Sequence, residues 1–246
     1  MRIAPSLHRL GEELVSCYLI EEAGEVTLID AGVPGYYSEL VGELAAMGRT
    51  IDDLRAVVLT HGHSDHVGFA EQVRDEHGVP VSVHELDAAL ARGEVPNPSA
   101  GMGERKLSSL LPFLLWTMRR GGLRAKPLTE VSTFDSESTL DVPGAPRVIH
   151  TPGHTPGNTA LHVPGLGALF AGDTLSTLSA TSGRQGPQIS PFTADPDAAL
   201  ASLSAIESVE AQWLLPGHGA PWTEGVAAAV AAARETGVEH LARAGS

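Results

Sequence analysis

The stretch Thr60-His61-Gly62-His63-Ser64-Asp65-His66 sets three imidazoles and a carboxylate directly behind the apolar run Ala56-Val57-Val58-Leu59. Imidazole nitrogen and carboxylate oxygen are the ligands that suit zinc, iron or manganese, and Gly62 and the small Ser64 let a loop fold tightly around an ion. In an extended His-x-His the two side chains lean toward one face, so His61 and His63 point the same way. A polar surface loop with chance histidines would have no counterparts elsewhere in the chain. Three are present, each where an apolar strand runs into a glycine-rich turn: His154 in Thr151-Pro-Gly-His-Thr-Pro-Gly157, Asp173 in Leu169-Phe-Ala-Gly-Asp173, and His218 in Leu214-Leu-Pro-Gly-His-Gly219. Glycine beside each of them permits close backbone approach. Seven such ligands exceed the needs of one tetrahedral ion and point to two metals sharing a bridge, with Asp173 the natural bridging carboxylate.

Outward from these loops the chain reads as α/β. The spacing predicts a strand over 25–30, a helix over 35–48, a strand over 56–60, a helix over 69–76, a strand over 79–83 and a short helix over 85–91. After Pro96-Asn97-Pro98 the pattern breaks, and 102–126 reads as one or two apolar helices joined near Pro112 and Gly121-Gly122, a helical insertion at about 97–130 within a single domain spanning 1–246. Strands return over 139–142, 147–150, 159–163, 168–171 and 213–215, with helices over 196–208 and 224–243. Hairpin-like strands mixed with strand-helix units favour two packed sheets with helices outside.

The pattern His-x-His-x-Asp-His followed by a separate His, Asp and His resembles the metallo-β-lactamase superfamily of hydrolases, from the Leu28-Ile-Asp-Ala-Gly32 turn to Pro216-Gly-His218. The resemblance implies a four-layer αββα sandwich with the metals at one edge of the packed sheets. It further implies that His61, His63 and His154 hold one metal, that Asp65, His66 and His218 hold the other, and that Asp173 bridges them. Asp30 matches a strand-end aspartate of the same family, expected to accept a hydrogen bond from a ligand imidazole or the nearby loop backbone. The implied cofactors are two divalent ions, zinc first, with iron or manganese as alternatives.

Zinc lowers the pKa of bound water from about 15.7 toward 7, so a bridging hydroxide is the expected nucleophile, with Asp65 relaying the proton to the leaving group. No Gly-x-Ser-x-Gly elbow is present and Cys17 lies far from these motifs, so covalent catalysis lacks support. Asp173 stands where the best-known zinc β-lactamases place cysteine. Gly62 stands where glyoxalase II enzymes usually carry a third histidine, and only 28 residues follow His218, too few for their helical domain. The expected reaction is hydrolysis of a small ester, thioester, lactone or related substrate, in a glyoxalase II-like or lactonase-like branch. The alternatives are a mononuclear iron persulfide dioxygenase-like enzyme using His61, His154 and Asp173, and a phosphodiesterase of the same fold.

Composition bounds the partners. Of 246 residues 42% are apolar, enough for a full core, and 16 Lys and Arg stand against 30 Asp and Glu, a net charge of −14 that repels nucleic-acid backbones. Cys17 is the single cysteine, no secretory leader or bilayer-length apolar run is seen, and the expectation is a cytoplasmic protein with a small-molecule substrate and no membrane partner. The insertion departs from this acidity: Arg105, Lys106, Arg119, Arg120, Arg124 and Lys126 lie among Leu110, Phe113, Trp116 and Met118 with no acid between. Such an island reads as a lid favouring an apolar acyl or aromatic substrate, as a homodimer contact, or as a surface-binding element. Arg184 is a candidate anion contact, Tyr36 or Tyr37 could reach a substrate oxygen, and His84 is the least settled of the remaining histidines.

Overall fold

Three strands that the sequence reading did not single out open the chain: β1 (Arg2–Ala4), β2 (Leu7–Glu12) and β3 (Val15–Glu22), paired antiparallel, with Leu7 opposite Ile20 and Glu12 opposite Val15. The computed structural model describes residues 1–241. β4 (Glu25–Ile29) pairs antiparallel to β3 and leads through a sharp turn into α1 (Tyr37–Ala46); β5 (Leu54–Val58) returns parallel to β4. The short α2 (Ser64–Val67) and α3 (Ala70–His77) precede β6 (Val81–His84), parallel to β5, and α4 (Ala88–Ala91) and α5 (Leu107–Arg119) precede β7 (Ser132–Phe134). These seven strands form one sheet in sequence order.

The second sheet is built from β8 (Arg147–His150), β9 (Thr159–Val163) and β10 (Ala168–Gly172), successive antiparallel neighbours. A small ribbon of β11 (Ser176–Leu178) and β12 (Gln185–Gln188) follows, then α6 (Pro196–Ser202), then β13 (Trp213–Pro216), parallel to β10, and α7 (Val226–Thr236).

Side-chain alternation turns these strands into layers. On β3, Tyr18 and Ile20 face the second sheet and meet Leu161, Phe170 and Leu215, with the Tyr18 and Phe170 rings edge to face at 5.5 Å; Cys17 and Leu19 face the other way, into the core under α1 and α3. On the far side, Ala229, Val230 and Ala233 of α7 and Ala199 of α6 cover Leu169 and Leu214. The order is helix, sheet, sheet, helix, the αββα sandwich. β4, β5, β8, β10 and β13 all release their chain at one end of the sandwich; the loops after β5, β8, β10 and β13 carry the seven candidate ligand residues, and the turn after β4 carries Asp30.

Three elements differ from the sequence reading. The insertion holds one α-helix of thirteen residues, which runs through Pro112. Ser108 and Pro112 are both exposed, so water can satisfy the carbonyl that proline leaves without its N–H. No strand forms over 139–142, because the Pro143-Gly144 turn cuts it short and Thr139 makes a single bridge to Arg147 beside β8; the polar β7, not singled out from the sequence, forms the edge of the other sheet beside β6. α7 stops at Gly237, whose φ of +67 ends the helix, and the expected end near Arg243 lies outside the described residues.

Candidate metal centre

His61, His66, His154 and Asp173 are all at most 3% exposed, and His63 and His218 at most 7%. Ligand atoms of His61, His63 and His154 lie within 4.8 Å of one another, as do those of His61, His66 and Asp173, and those of Asp65, His66 and His218. Asp173 Oδ2 sits 3.3 Å from His154 Nε2 and 3.2 Å from His218 Nε2, while its Oδ1 sits 3.6 Å from His66 Nε2. His63 Nδ1 lies 3.0 Å from His154 Nε2, and Asp65 Oδ2 lies 3.6 Å from His218 Nε2. The structure therefore brings together all seven residues singled out from the sequence, with Asp173 between the two histidine groups.

The other nitrogen of most of these rings is already engaged. His66 Nδ1 donates to Asp30 Oδ2 at 2.8 Å; His154 Nδ1 donates to Thr193 Oγ1 at 3.0 Å, whose own hydroxyl proton goes to the Ser190 carbonyl. His218 Nδ1 donates to the Leu14 carbonyl, and His61 Nδ1 faces Thr60 Oγ1, a hydroxyl that donates to Asp30. These bonds fix the tautomer that turns Nε2 toward the cluster, the usual device for orienting a metal-binding imidazole. His61 Nε2, His66 Nε2 and Asp173 Oδ1 are buried without a hydrogen-bond partner among the described residues. Buried polar atoms left without a partner are costly, and a cation held by them removes the cost, so the residues present fit divalent metals.

Electrostatics divide the cluster. Burial, reinforced by neighbouring rings, holds His61 well below the usual imidazole range, and burial pushes His154 down to about 3. Burial also opposes the charged form of His66 and His218, but Asp30 raises the first to about 9 and Asp173 raises the second to about 10. Asp173 itself is held far below the ordinary carboxylate range, against its own burial, by His218 and His154.

Asp30 occupies a left-handed turn with φ of +59 and gathers Thr60 N–H, the Thr60 hydroxyl and His66, which meets both halves of the expectation for it. Close approach is enforced at Gly217, where a Cβ would fall 2.6 Å from His66 Cε1 and 2.7 Å from Asp173 Oδ1. Asp87 was missed from the sequence. Fully buried, it accepts from Gly62 N–H at 2.8 Å, the Thr155 hydroxyl at 2.7 Å and Gly157 N–H at 2.7 Å, so one carboxylate joins the loop of His61 and His63 to the loop of His154. Its only sequence signal is an aspartate three residues beyond strand β6, which in isolation reads as a helix start.

A cavity of about 280 Å³ opens on His63, Asp65, His154, Asp173 and His218, and Phe113, Trp116 and Thr117 of α5 form its opposite wall. Arg184 is not at this cavity and pairs with Glu104 at 3.1 Å. Tyr36 is buried with its hydroxyl donating to the Val15 carbonyl, and Tyr37 stacks on His77, so neither reaches the cavity. His84 stacks on His150 at 4.5 Å and bonds Ser136, a structural role.

Comparison with known proteins places the fold among metal-dependent hydrolases and their relatives. Over 237 residues the chain is 29% identical to the probable metallo-hydrolase YflN of Bacillus subtilis, covering 89% of this chain and 86% of that one. The metallo-beta-lactamase family protein TTHA1429 of Thermus thermophilus superposes with a TM-score of 0.69 at 25% identity, over 97% of this chain and 80% of its own. TTHA1623, solved in a di-iron-bound form, gives a TM-score of 0.59 at 28% identity, over 88% of this chain and 93% of its own. The subclass B3 β-lactamase BJP-1 of Bradyrhizobium japonicum, at 19% identity and a TM-score of 0.68 over 96% of this chain and 90% of its own, shares the fold. The sequence profile of the metallo-beta-lactamase superfamily matches residues 10–218, and the chain belongs to that superfamily.

Proposed function

We propose that this protein is a binuclear metal-dependent hydrolase of a small ester, thioester or lactone. The observation that carries the reading is the convergence of seven buried or half-buried candidate ligand residues, three of whose inward-facing atoms have no hydrogen-bond partner among the described residues. His61, His63 and His154 would hold one ion, Asp65, His66 and His218 the other, and Asp173 both; zinc is the first choice, with iron and manganese as alternatives. Bound divalent ions supply an activated water and positive charge to stabilise oxygen in the transition state. The di-iron neighbour and the metallo-hydrolase relative support this chemistry.

The chain's own residues account for the rest. Water oxygen bonds to the substrate carbonyl carbon, the bond from that carbon to the leaving oxygen or sulfur breaks, and the proton passes to the leaving atom. Asp65 has the position for this transfer: its side chain is about one-third exposed, at 34%, and lines the cavity beside His218. Asp30, Thr193 and the Leu14 carbonyl keep the imidazoles aimed while charge develops.

The test is metal quantification of the purified protein coupled to turnover of an ester, a thioester, a lactone and a phosphodiester, with Asp65→Ala and His154→Ala as controls. Two ions per chain, hydrolysis of the first three bond types and loss of turnover in both variants are expected. One iron with oxygen uptake would assign the chain to the dioxygenase reading instead, and retained turnover in both variants would reject the site.

A further inference from the structure

Resting on the hydrolase reading, we propose that the acyl part of the substrate is neutral and apolar, an aromatic or medium-chain acyl group, and that the cavity selects against a second carboxylate or phosphate. The cavity has two unlike sides. The ligand residues form one; the other is carbon, with Phe113 and Trp116 from α5, Phe192 from the loop after β12, and Val15 and Val33. Phe113 and Trp116 stack with ring planes 16° apart, and Trp116 in turn meets Tyr36 edge to face, so this wall is backed by the core. Phe192 is held at φ of +63, a conformation uncommon for an aromatic residue, which marks its place at the cavity as one the surrounding structure imposes.

Among the described residues no lysine or arginine lines this space, although six cations crowd the segment that forms its wall. Arg120 is turned away to Glu39 and Glu12 and lies over the Tyr36 ring, Lys106 and Arg184 face Glu104, and Arg105, Arg119, Arg124 and Lys126 are exposed outside the cavity. The neutral polar groups at hand are few. Thr117 spends its hydroxyl proton on the Phe113 carbonyl, which leaves Asn97, Ser99 and Ser64. A carboxylate carried at the far end of a substrate would lose water and gain no counter-charge, whereas an alkyl or phenyl group would gain contact with three rings. The volume of about 280 Å³ leaves room for a phenylacetyl or hexanoyl group.

The experiment uses the metal-loaded protein and 4-nitrophenyl esters of acetate, hexanoate and phenylacetate, with the near-isosteric adipamate and adipate monoesters as a neutral and an anionic partner. The phenylacetyl ester should exceed the acetyl ester in kcat/KM by about 10-fold to 100-fold, and adipamoyl should exceed adipoyl by about 10-fold. Phe113→Ala and Phe192→Gly should each shrink the phenylacetyl-to-acetyl ratio about tenfold, and Asn97→Lys should narrow the adipoyl deficit; a ratio within one variant does not depend on how much of it folds. Calorimetric titration with hexanamide and with adipamate adds a readout without turnover, in which the anion binds at least about tenfold more weakly. Hydrolysis with equal or reversed preference overturns the proposal and leaves the hydrolase reading standing. Absence of all ester turnover, with hexanamide still bound over adipamate, overturns the hydrolase reading and leaves the cavity's selectivity.

Discussion

Two surfaces face each other across the cavity, and they are made in opposite ways. The candidate ligand side is largely buried, comes from four strand ends of both sheets, and has most rings tied through their second nitrogen to Asp30, Thr193, Thr60 or the Leu14 carbonyl. The opposite side takes its rings from α5 and from Phe192, with Val15 and Val33 beside them, and no residue of the α5 helix is fully buried. The first arrangement holds atoms where a reaction needs them at the cost of many obligatory bonds; the second presents area and can change without disturbing them. One side fixes the chemistry and the other admits the substrate.

The largest effect is expected at the residue both histidine groups share. Asp173→Asn keeps shape but removes the charge that lies 3.2 and 3.3 Å from two imidazoles. Bound metal should fall from two ions to one or none, and turnover should drop by about 10³-fold, measured by elemental analysis and ester hydrolysis on the same sample. A variant that keeps two ions and its rate would break the contrast at its centre.

Next comes Asp87, which touches no proposed ligand side chain yet joins two ligand loops. Asp87→Ala strands two backbone N–H groups and a hydroxyl, each worth about 1–3 kcal/mol when buried without a partner, and should weaken metal affinity about tenfold to 100-fold. Competition with a chelating dye measures the affinity. Asp87→Asn retains one acceptor and should recover part of the loss; equal affinity in all three proteins would reduce Asp87 to packing.

The legibility of the chain follows the same contrast. His61, His63, Asp65, His66, His154, Asp173 and His218 could be read because each requires a specific donor type beside a glycine-rich turn, and chemistry of that kind leaves a pattern in sequence. Asp30 was legible from its place at a strand end. Asp87 was not, since a carboxylate that organises backbone N–H groups looks like any helix-starting aspartate until the third dimension brings Gly62 and Gly157 to it. The central strands read well because burial on both faces makes them continuously apolar. β7 did not, because an edge strand of Ser, Thr and Phe is held by backbone pairing with β6. Thr139 to Val142 misled for the converse reason, having strand-like composition but no partner beyond one bridge.

A milder effect is expected where the two sides are fastened. Glu71 on α3 accepts two bonds from Arg74 and two from Thr129, in the segment returning from α5, and the Arg74 guanidinium with the Thr129 bonds holds its carboxyl down to about 2. Because the folded value lies below the unfolded one, the stabilisation is fully present above about pH 4.5 and is lost as pH falls toward 2. Glu71→Gln in metal-free protein should therefore lower stability by about 2 kcal/mol at pH 7, with the gap to wild type closing between about pH 5 and 2.5 in denaturant titrations. A gap independent of pH would mean that shape, not charge, fastens the segment.

The smallest effect belongs to the outer face of the α5 segment, where Met118 is 64% exposed and Leu123 79%. The inner face of the same segment carries Phe113 and Trp116, so substitutions a few residues apart should differ sharply. Met118→Gln and Leu123→Gln remove little buried area and should each change stability by less than about 0.5 kcal/mol, about 1–2 °C in Tm for a chain of this size. Trp116→Ala takes away a ring packed between Tyr36 and Phe113 and should cost about 3 kcal/mol. If the two outer substitutions instead lower Tm by several degrees, and do so more at high protein concentration than at low, the outer face is covered in solution by a second copy of the chain. Mass action then makes stability depend on concentration, which no change confined to one chain can produce. Matched melts across a hundredfold range of concentration separate the two cases, because only a shared face makes the wild-type Tm rise with concentration and the outer variants lose that rise.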